Sequence, residues 1–374
     1  MDYNMRRAFI VYERYYDFDN NIVLSGGVQT YISNLLPILK EAGYMCEVYQ
    51  FEAENRRRTV ELTNCVVKSV PNSRVKGICD VSVVMNALEN VINKENDLLI
   101  YADHILTTKN DVKHTLSIQH GIHWDIRQDV SRKNYRMFLS KALFAYREHK
   151  RMSYVNNVVC VDYNFLNWYR AQVDVPSSNF TVIPNFTKIS PVIEKSDGVI
   201  KIMFARRFVK HRGTRVFAEV AERLLSRYDN IEITVAGRGP DESYLHDKLD
   251  KWQDRVKFTQ YTADQSLDIH ADKHIAVVPT VGSEGTSLSL LEAMSAQCAT
   301  VCTDVGGMTN IILNGYNGKM VSAGDVDQLY AAVESLIENP EERKRIAMTG
   351  YETVKCSFSH ARWENQWRGV IKSL

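Results

Sequence analysis

Two acids, Glu284 and Glu292, stand eight positions apart in GSEGTSLSLLEAM (residues 282–294), with Gly285, Thr286 and Ser287 beside the first and leucines leading to the second. The preceding HIAVVPT is apolar and β-branched, which reads as a buried strand. The leucine pattern starts a helix near Ser287 or Leu288. Gly-Thr-Ser therefore falls at a helix N-terminus above a strand end. Free N–H groups and the helix dipole favour an anion there, and glycine lets it come close. The dipole contributes only about 0.3–1 kcal/mol near a surface, so a diphosphate at residues 285–288 needs cations as well. ARRFVKHRG (205–213) places Arg206, Arg207, Lys210 and Arg212 after another strand and before Gly213. Guanidinium forks match phosphate oxygens. We read Arg207 and Arg212 as the phosphate ligands, and Arg206 and Lys210 as a solvated basic loop.

Glu292 falls in the second turn of that helix, beyond the phosphate cradle, where a carboxylate can accept two hydroxyls of a ribose. Its competing reading is a capping box, Ser289-x-x-Glu292, which requires a later helix start. Glu284 precedes the helix and can grip sugar hydroxyls or offset charge at an anomeric carbon; its competing reading is stabilisation of the helix dipole. Taken with Gly-Thr-Ser, the two acids favour a nucleotide-sugar site. SGGVQT (25–30) is a further glycine loop opening a helix, which makes Gly26 and Gly27 candidates for contact with the donor phosphate or the acceptor. AGRGP (236–240) is a strand-end turn without the dinucleotide fingerprint.

These residues need a scaffold, and the pattern supplies it twice. AFIVY, CEVYQF, DLLIYAD, HTLSIQH, NVVCVDY and FTVIPNF read as strands, with helices over 26–43 (Pro37 a potential kink, Gly43 a C-cap), near 80–94 and over 132–152. Residues 187–199 are polar and aperiodic, a linker. The alternation restarts with KIMFARR, EITVAG, VKFTQY, HIAVVPT and TVCTD, with helices between and after them. Strand–helix alternation implies parallel sheets covered on both faces. The expected fold is α/β: two doubly wound domains, residues 1–190 and 198–356, with ligands at the strands' carboxyl ends in the crevice between them. Residues 357–374 form a terminal helix.

The totals agree. The 374 residues exceed one ordinary core. A net charge of +1 gives no global field for nucleic acid. No apolar run reaches the roughly 20 residues of a spanning helix. Seven scattered cysteines suit reduced, buried thiols in a cytoplasmic protein. Cys298 and Cys302 lack the partners of a metal site.

The set resembles the donor site of retaining glycosyltransferases of the GT-B fold, family 4. The E-x7-E signature is Glu284 through Glu292, followed by DVGG (304–307) and GYNG (315–318). Arg207, Arg212 and Gly213 resemble the family's arginine–lysine–glycine pattern, with arginine where lysine is usual. Arg238, Gln260 and Asn310 also depart from the pattern. VIPNF (182–186) and HGIHWD (120–125) resemble further family motifs, His120 being the match in the second. The resemblance implies that Arg207 and Arg212 neutralise the leaving diphosphate, Glu284 holds the sugar and Glu292 the ribose. It implies that the backbone of Gly285, Thr286, Ser287 and Leu288 holds the phosphate and that the backbone of Thr262 touches the base. His120, with Gly26 and Gly27, approaches the sugar, and the terminal helix packs back on the first domain. No metal and no cofactor beyond the nucleoside-diphosphate sugar are implied, so Asp325 and Asp327 are a helix-start cap. The acceptor is a carbohydrate, a lipid-linked molecule or a protein. The alternatives are a GT-B epimerase of nucleotide sugars and a non-catalytic partner subunit.

Residues 132–152 make a basic amphipathic helix with an apolar stripe at 135, 138, 139, 142, 143 and 146. Docking on its own sheet is the favoured reading; contact with the inner face of a membrane is the second. Arg56, Arg57 and Arg58 read as a solvated loop.

Overall fold

The computed structural model describes all residues except 1–5, 25, 62–63, 72–79, 122–134, 173–178, 197 and 283, and only the backbone of 135–138 and 141. Cys79, Arg132, Lys133, residues 122–125 of the histidine motif, and the side chains of 135, 138, Arg136 and Lys141 therefore lie outside the described residues.

Two units divide the chain: Met1–His120, Asn134–Ile183 and Glu364–Leu374 form the first, Gly121–Lys133 and Pro184–Trp363 the second. The first runs β1 (Arg7–Val11), a small hairpin of β2 (Tyr16–Asp17) and β3 (Ile22–Val23), α1 (Gly27–Glu41), β4 (Met45–Glu52), β5 (Arg56–Val60), β6 (Cys65–Pro71), α2 (Val81–Glu89) and β7 (Leu98–Tyr101). It continues with β8 (His114–Gln119), α3 (Tyr135–Met152), β9 (Asn157–Cys160), α4 (Tyr163–Arg170) and β10 (Phe180–Val182). Its sheet has the order β10-β9-β8-β7-β1-β4-β6-β5. Every pairing in it is parallel except β5 with β6. The chain grows from β1 toward β4 and β6, then reverses to β7, so strand order switches direction between β1 and β7.

The second unit repeats this logic with β11 (Ile200–Ala205), α5 (Thr214–Arg227), β12 (Ile231–Ala236), α6 (Glu242–Leu249), β13 (Val256–Thr259) and β14 (Ile275–Val278). After these come α7 (Leu288–Ser295), β15 (Ala299–Thr303), β16 (Lys319–Val321), α8 (Val326–Glu338) and α9 (Pro340–Ser357). The sheet is parallel throughout, in the order β13-β12-β11-β14-β15-β16, with its switch between β11 and β14. Its strands are nearly all buried, and Phe204 stacks on Phe217 with ring centroids 4.2 Å apart. The last helix, α10 (His360–Ser373), begins in the second unit, where the Trp363 ring lies 4.5 Å from that of Phe186. It ends in the first unit, where Trp367 is fully buried and its Nε1 donates to the Tyr31 hydroxyl at 2.9 Å.

Three local expectations change. Pro37 leaves α1 unbroken from 27 to 41. Arg56–Arg58 belong to β5, an antiparallel edge strand rather than a loop: Arg57 and Arg58 face solvent, while Arg56 pairs with Asp19 at 2.5 Å. Neither β5 nor the hairpin has an apolar period, because each is an edge element with little to bury. The favoured docking reading of α3 covers only one of its sides: Glu148 and Met152 are buried, but Leu139, Leu143, Phe144 and Tyr146 are exposed.

Candidate functional site

The second sheet's switch point is where two loops meet at the strands' carboxyl ends, the usual place for a ligand in such sheets. One loop follows β11 and carries Arg206 to Gly213; the other follows β14 and carries Thr280 to Ser287. Backbone bonds join them, since Val281 and Gly282 both donate to the His211 carbonyl, at 2.9 and 3.1 Å. Gly213 has φ +78°, and a Cβ there would run into the Pro279 carbonyl, so this approach requires glycine. DVGG serves the second loop from below: Gly307 donates to the Glu284 carbonyl at 2.9 Å, and a Cβ on Gly306 would collide with the same group.

Arg206 is the centre of the cluster. Its side chain is 6% exposed, and its Nη2 meets Glu284 Oε2 at 2.5 Å and Thr280 Oγ1 at 2.7 Å. Its Nη1 donates to the hydroxyls of Ser287, at 3.2 Å, and Ser289. Arg212 reaches the same Oε2 of Glu284 through Nη1, and Thr280 Oγ1 donates to it at 3.2 Å. Burial works to raise the Glu284 carboxyl, but the two guanidiniums outweigh burial and hold it below the usual carboxylate range. It is therefore a firm anion at neutral pH.

Above this pair, Ser287 is the N-cap of α7 and Leu288 its first residue. The Ser287 side chain makes no capping bond, being engaged with Arg206, so the first-turn N–H groups are not capped by it. Asn185 Nδ2 fixes the Thr286 carbonyl at 2.8 Å. The helix start rules out the capping box Ser289-x-x-Glu292, because Glu292 stands five residues after the N-cap. Burial pushes the Glu292 carboxyl up to about 7, although the Ser266 hydroxyl and Arg206 favour its anion. Tyr261 is lifted to about 12 by burial and then by the Glu292 charge. One acid is thus fixed in charge and the other is poised to titrate near neutrality.

The structure brings together Arg212, Glu284, Gly285, Thr286, Ser287, Leu288 and Glu292. Arg207 stands within electrostatic reach of Arg212 but joins none of the cluster's contacts: its side chain is exposed and makes no ion pair among the described residues. Arg206, expected in a solvated loop, takes its place. The reason is register: the Arg206 N–H still belongs to the β11–β12 ladder, donating to the Ala236 carbonyl at 3.0 Å, whereas Arg207 is the first residue beyond it. The signal available in sequence was the hydroxyl-rich helix start, since Ser287 and Ser289 can satisfy a buried guanidinium. Thr262 caps a 3-10 turn, and its N–H donates to the Gln265 side chain at 3.1 Å. In the first unit, the His120 Nε2 lies 2.8 Å from the Ala102 carbonyl, and the ring meets Tyr31 edge-on with centroids 5.2 Å apart. Gly26 is the N-cap of α1 and Gly27 its first residue. Among the described residues no group of three or more His, Cys, Asp or Glu is arranged to hold a metal ion. Asp325 caps α8, accepting from the Gln328 N–H at 2.9 Å.

Both units are doubly wound α/β sheets, and the likeness to solved glycosyltransferase structures shows the GT-B fold. Residues 200–339 match the family described as glycosyl transferases group 1. Over 366 residues, 93% of each chain, the sequence is 23% identical to an uncharacterized glycosyltransferase of Methanocaldococcus jannaschii. Sucrose-phosphate synthase of Thermosynechococcus elongatus superposes with a TM-score of 0.76 at 13% identity, covering 98% of both chains. HepE of Anabaena, in complex with UDP, gives 0.71 at 15% identity over 99% of this chain and all of its own.

Proposed function

We propose that this protein moves a hexose-type sugar from a nucleoside-diphosphate donor to an acceptor, with retention at the anomeric carbon, in polysaccharide or glycoconjugate synthesis. The observation that carries this reading is the meeting of Arg206, Arg212 and Glu284 beside the start of α7 at the sheet's switch point, with Glu292 one turn further on. The diphosphate lies on the first-turn N–H groups and takes charge-assisted bonds from Arg212, with the buried charge of Arg206 behind it. Glu284 meets the sugar and Glu292 the ribose hydroxyls. As the bond between the anomeric carbon and the phosphate oxygen breaks, its electron pair stays with the phosphate, and the guanidiniums stabilise that charge. The acceptor oxygen bonds to the carbon from the same face and gives its proton to the departing phosphate. The charge stabilisation assigned to arginine leads us to expect activity in the presence of a chelator.

The test is calorimetric titration of UDP, GDP, ADP, CDP and dTDP, followed by transfer and donor-hydrolysis assays on wild type and Arg212→Ala. We expect one nucleoside diphosphate to bind, and the Arg212→Ala rate to fall roughly 10²–10³-fold, the usual cost of one lost preorganised contact. Failure of every nucleoside diphosphate to bind defeats the reading in favour of a non-catalytic subunit. Release of a rearranged free sugar without any acceptor defeats it in favour of an epimerase.

A further inference from the structure

The helix α3 carries two faces of different character. Along one side Glu148 and Met152 are buried, and Ala145 and His149 are half-buried. This side is locked to the first unit: His104, wholly buried, contacts Asp103 through Nδ1 at 3.2 Å and Glu148 through Nε2, while Arg151 pairs with the other Glu148 oxygen. The His149 ring lies 4.8 Å from that of Tyr169. The opposite side is turned outward. Leu139, Leu143 and Tyr146, at i, i+4 and i+7, are 50%, 49% and 62% exposed. Lys150 continues that line and Arg147 borders it, both exposed. Glu148 is the only acid in the 18 residues of the helix, and it faces inward.

We propose that this outward face of α3 docks the protein on an anionic lipid surface. Apolar residues flanked by cations, with no anion among them, complement a bilayer interface in both properties: the apolar side chains enter the acyl boundary and the cations meet negatively charged headgroups. The same charge argues against a second copy of the face as occupant, because two such faces repel. The buried His104–Glu148–Arg151 network spends the helix's only acid inside the fold and fixes which side points out. No helix of the described residues is long and apolar enough to cross a membrane, so the contact is peripheral.

The experiment is co-sedimentation of the full chain with vesicles of phosphatidylglycerol and phosphatidylcholine, against vesicles of phosphatidylcholine alone, at low and high salt. Binding is expected only to the anionic vesicles and is weakened by salt. Each cation near such a surface strengthens binding roughly fivefold, so Arg147→Gln/Lys150→Gln weakens it roughly 25-fold. Leu143→Asp/Tyr146→Asp abolishes it. Both variants retain the wild-type melting temperature and the wild-type affinity for the nucleoside diphosphate that binds, which separates a docking defect from misfolding. Equal binding to both vesicles, no binding to either, or variants that sediment like wild type overturns the proposal. So does finding that the same variants instead abolish self-association or capture of an acidic protein while leaving vesicle binding unchanged.

Discussion

Glu284 and Glu292 show how one helix start gives two carboxylates different tasks. Glu284 is held ionised by two guanidiniums; Glu292 is held near its titration point by burial. If Glu292 accepts ribose hydroxyls as an anion, affinity for the nucleoside diphosphate that binds rises between pH 6 and 8, and Glu292→Gln removes that part of the pH profile in titration calorimetry. The ligand-free protein behaves oppositely. A carboxyl raised from 4.5 to about 7 on folding stabilises fully below 4.5 and loses that contribution as pH climbs through 7. Melting scans should therefore show a fall over this window that Glu292→Gln flattens. Arginine supplies the second comparison: Arg206→Ala should lower transfer at least roughly 10²-fold, while Arg207→Ala stays within a few-fold in the same rate assay. The acids and the Gly-Thr-Ser cradle were legible because helix period and strand end fix their places. The choice between Arg206 and Arg207 was not, since it turns on whether the β11 ladder ends at 205 or 206, and a one-residue difference there reverses which side chain is buried.

At the level of the elements, most strands within the two sheets announced themselves, as did the edge strands β10 and β13, whereas the interior strand β6 and the edge strands β5 and β16 did not. The strands that announced themselves are apolar runs such as LLIY and IAVV or alternations such as HTLSIQ and IEITVA, whereas β5 is RRRTV and the β2–β3 hairpin has only two residues per strand. For α3 the apolar stripe was plain, but which side of it meets the protein depends on His104, a residue over thirty positions earlier, and on Glu148. Burial opposes charge on His104, yet its two carboxylate partners prevail and raise it to about 9, while Glu148, also pushed up by burial, is drawn down by His104 and Arg151. The histidine's share of stability is therefore complete below about 6.5 and is lost as pH rises through 9. Replacing it by Ala leaves the buried Glu148 carboxylate with Arg151 as its ion-pair partner, so the cost stays below the roughly 3–5 kcal/mol of a wholly unpaired buried charge. Amide hydrogen exchange at neutral pH should show residues 145–152 losing protection in that variant before the sheet does.

At the scale of the whole molecule, two parallel sheets built outward from their first strands were predictable from alternation alone, because parallel strands need helical crossovers and crossovers cover both faces. What the pattern could not give was the division of α10, whose first turn belongs to one unit and whose remainder belongs to the other. Trp367 makes that remainder matter: it is fully buried and hydrogen-bonded to Tyr31 on α1. Trp367→Ala should cost about 3–5 kcal/mol, measured by denaturant melts followed through the first unit's signals. There is also a temporal consequence. Residues 364–374 follow the entire second unit in the chain, so a ribosome delivers the final wedge of the first unit only after making everything between. The N-terminal unit must wait unfinished, with the Tyr31 surface bare, while its neighbour emerges and folds. Chaperone association during synthesis should therefore concentrate on the part made first rather than the part made last.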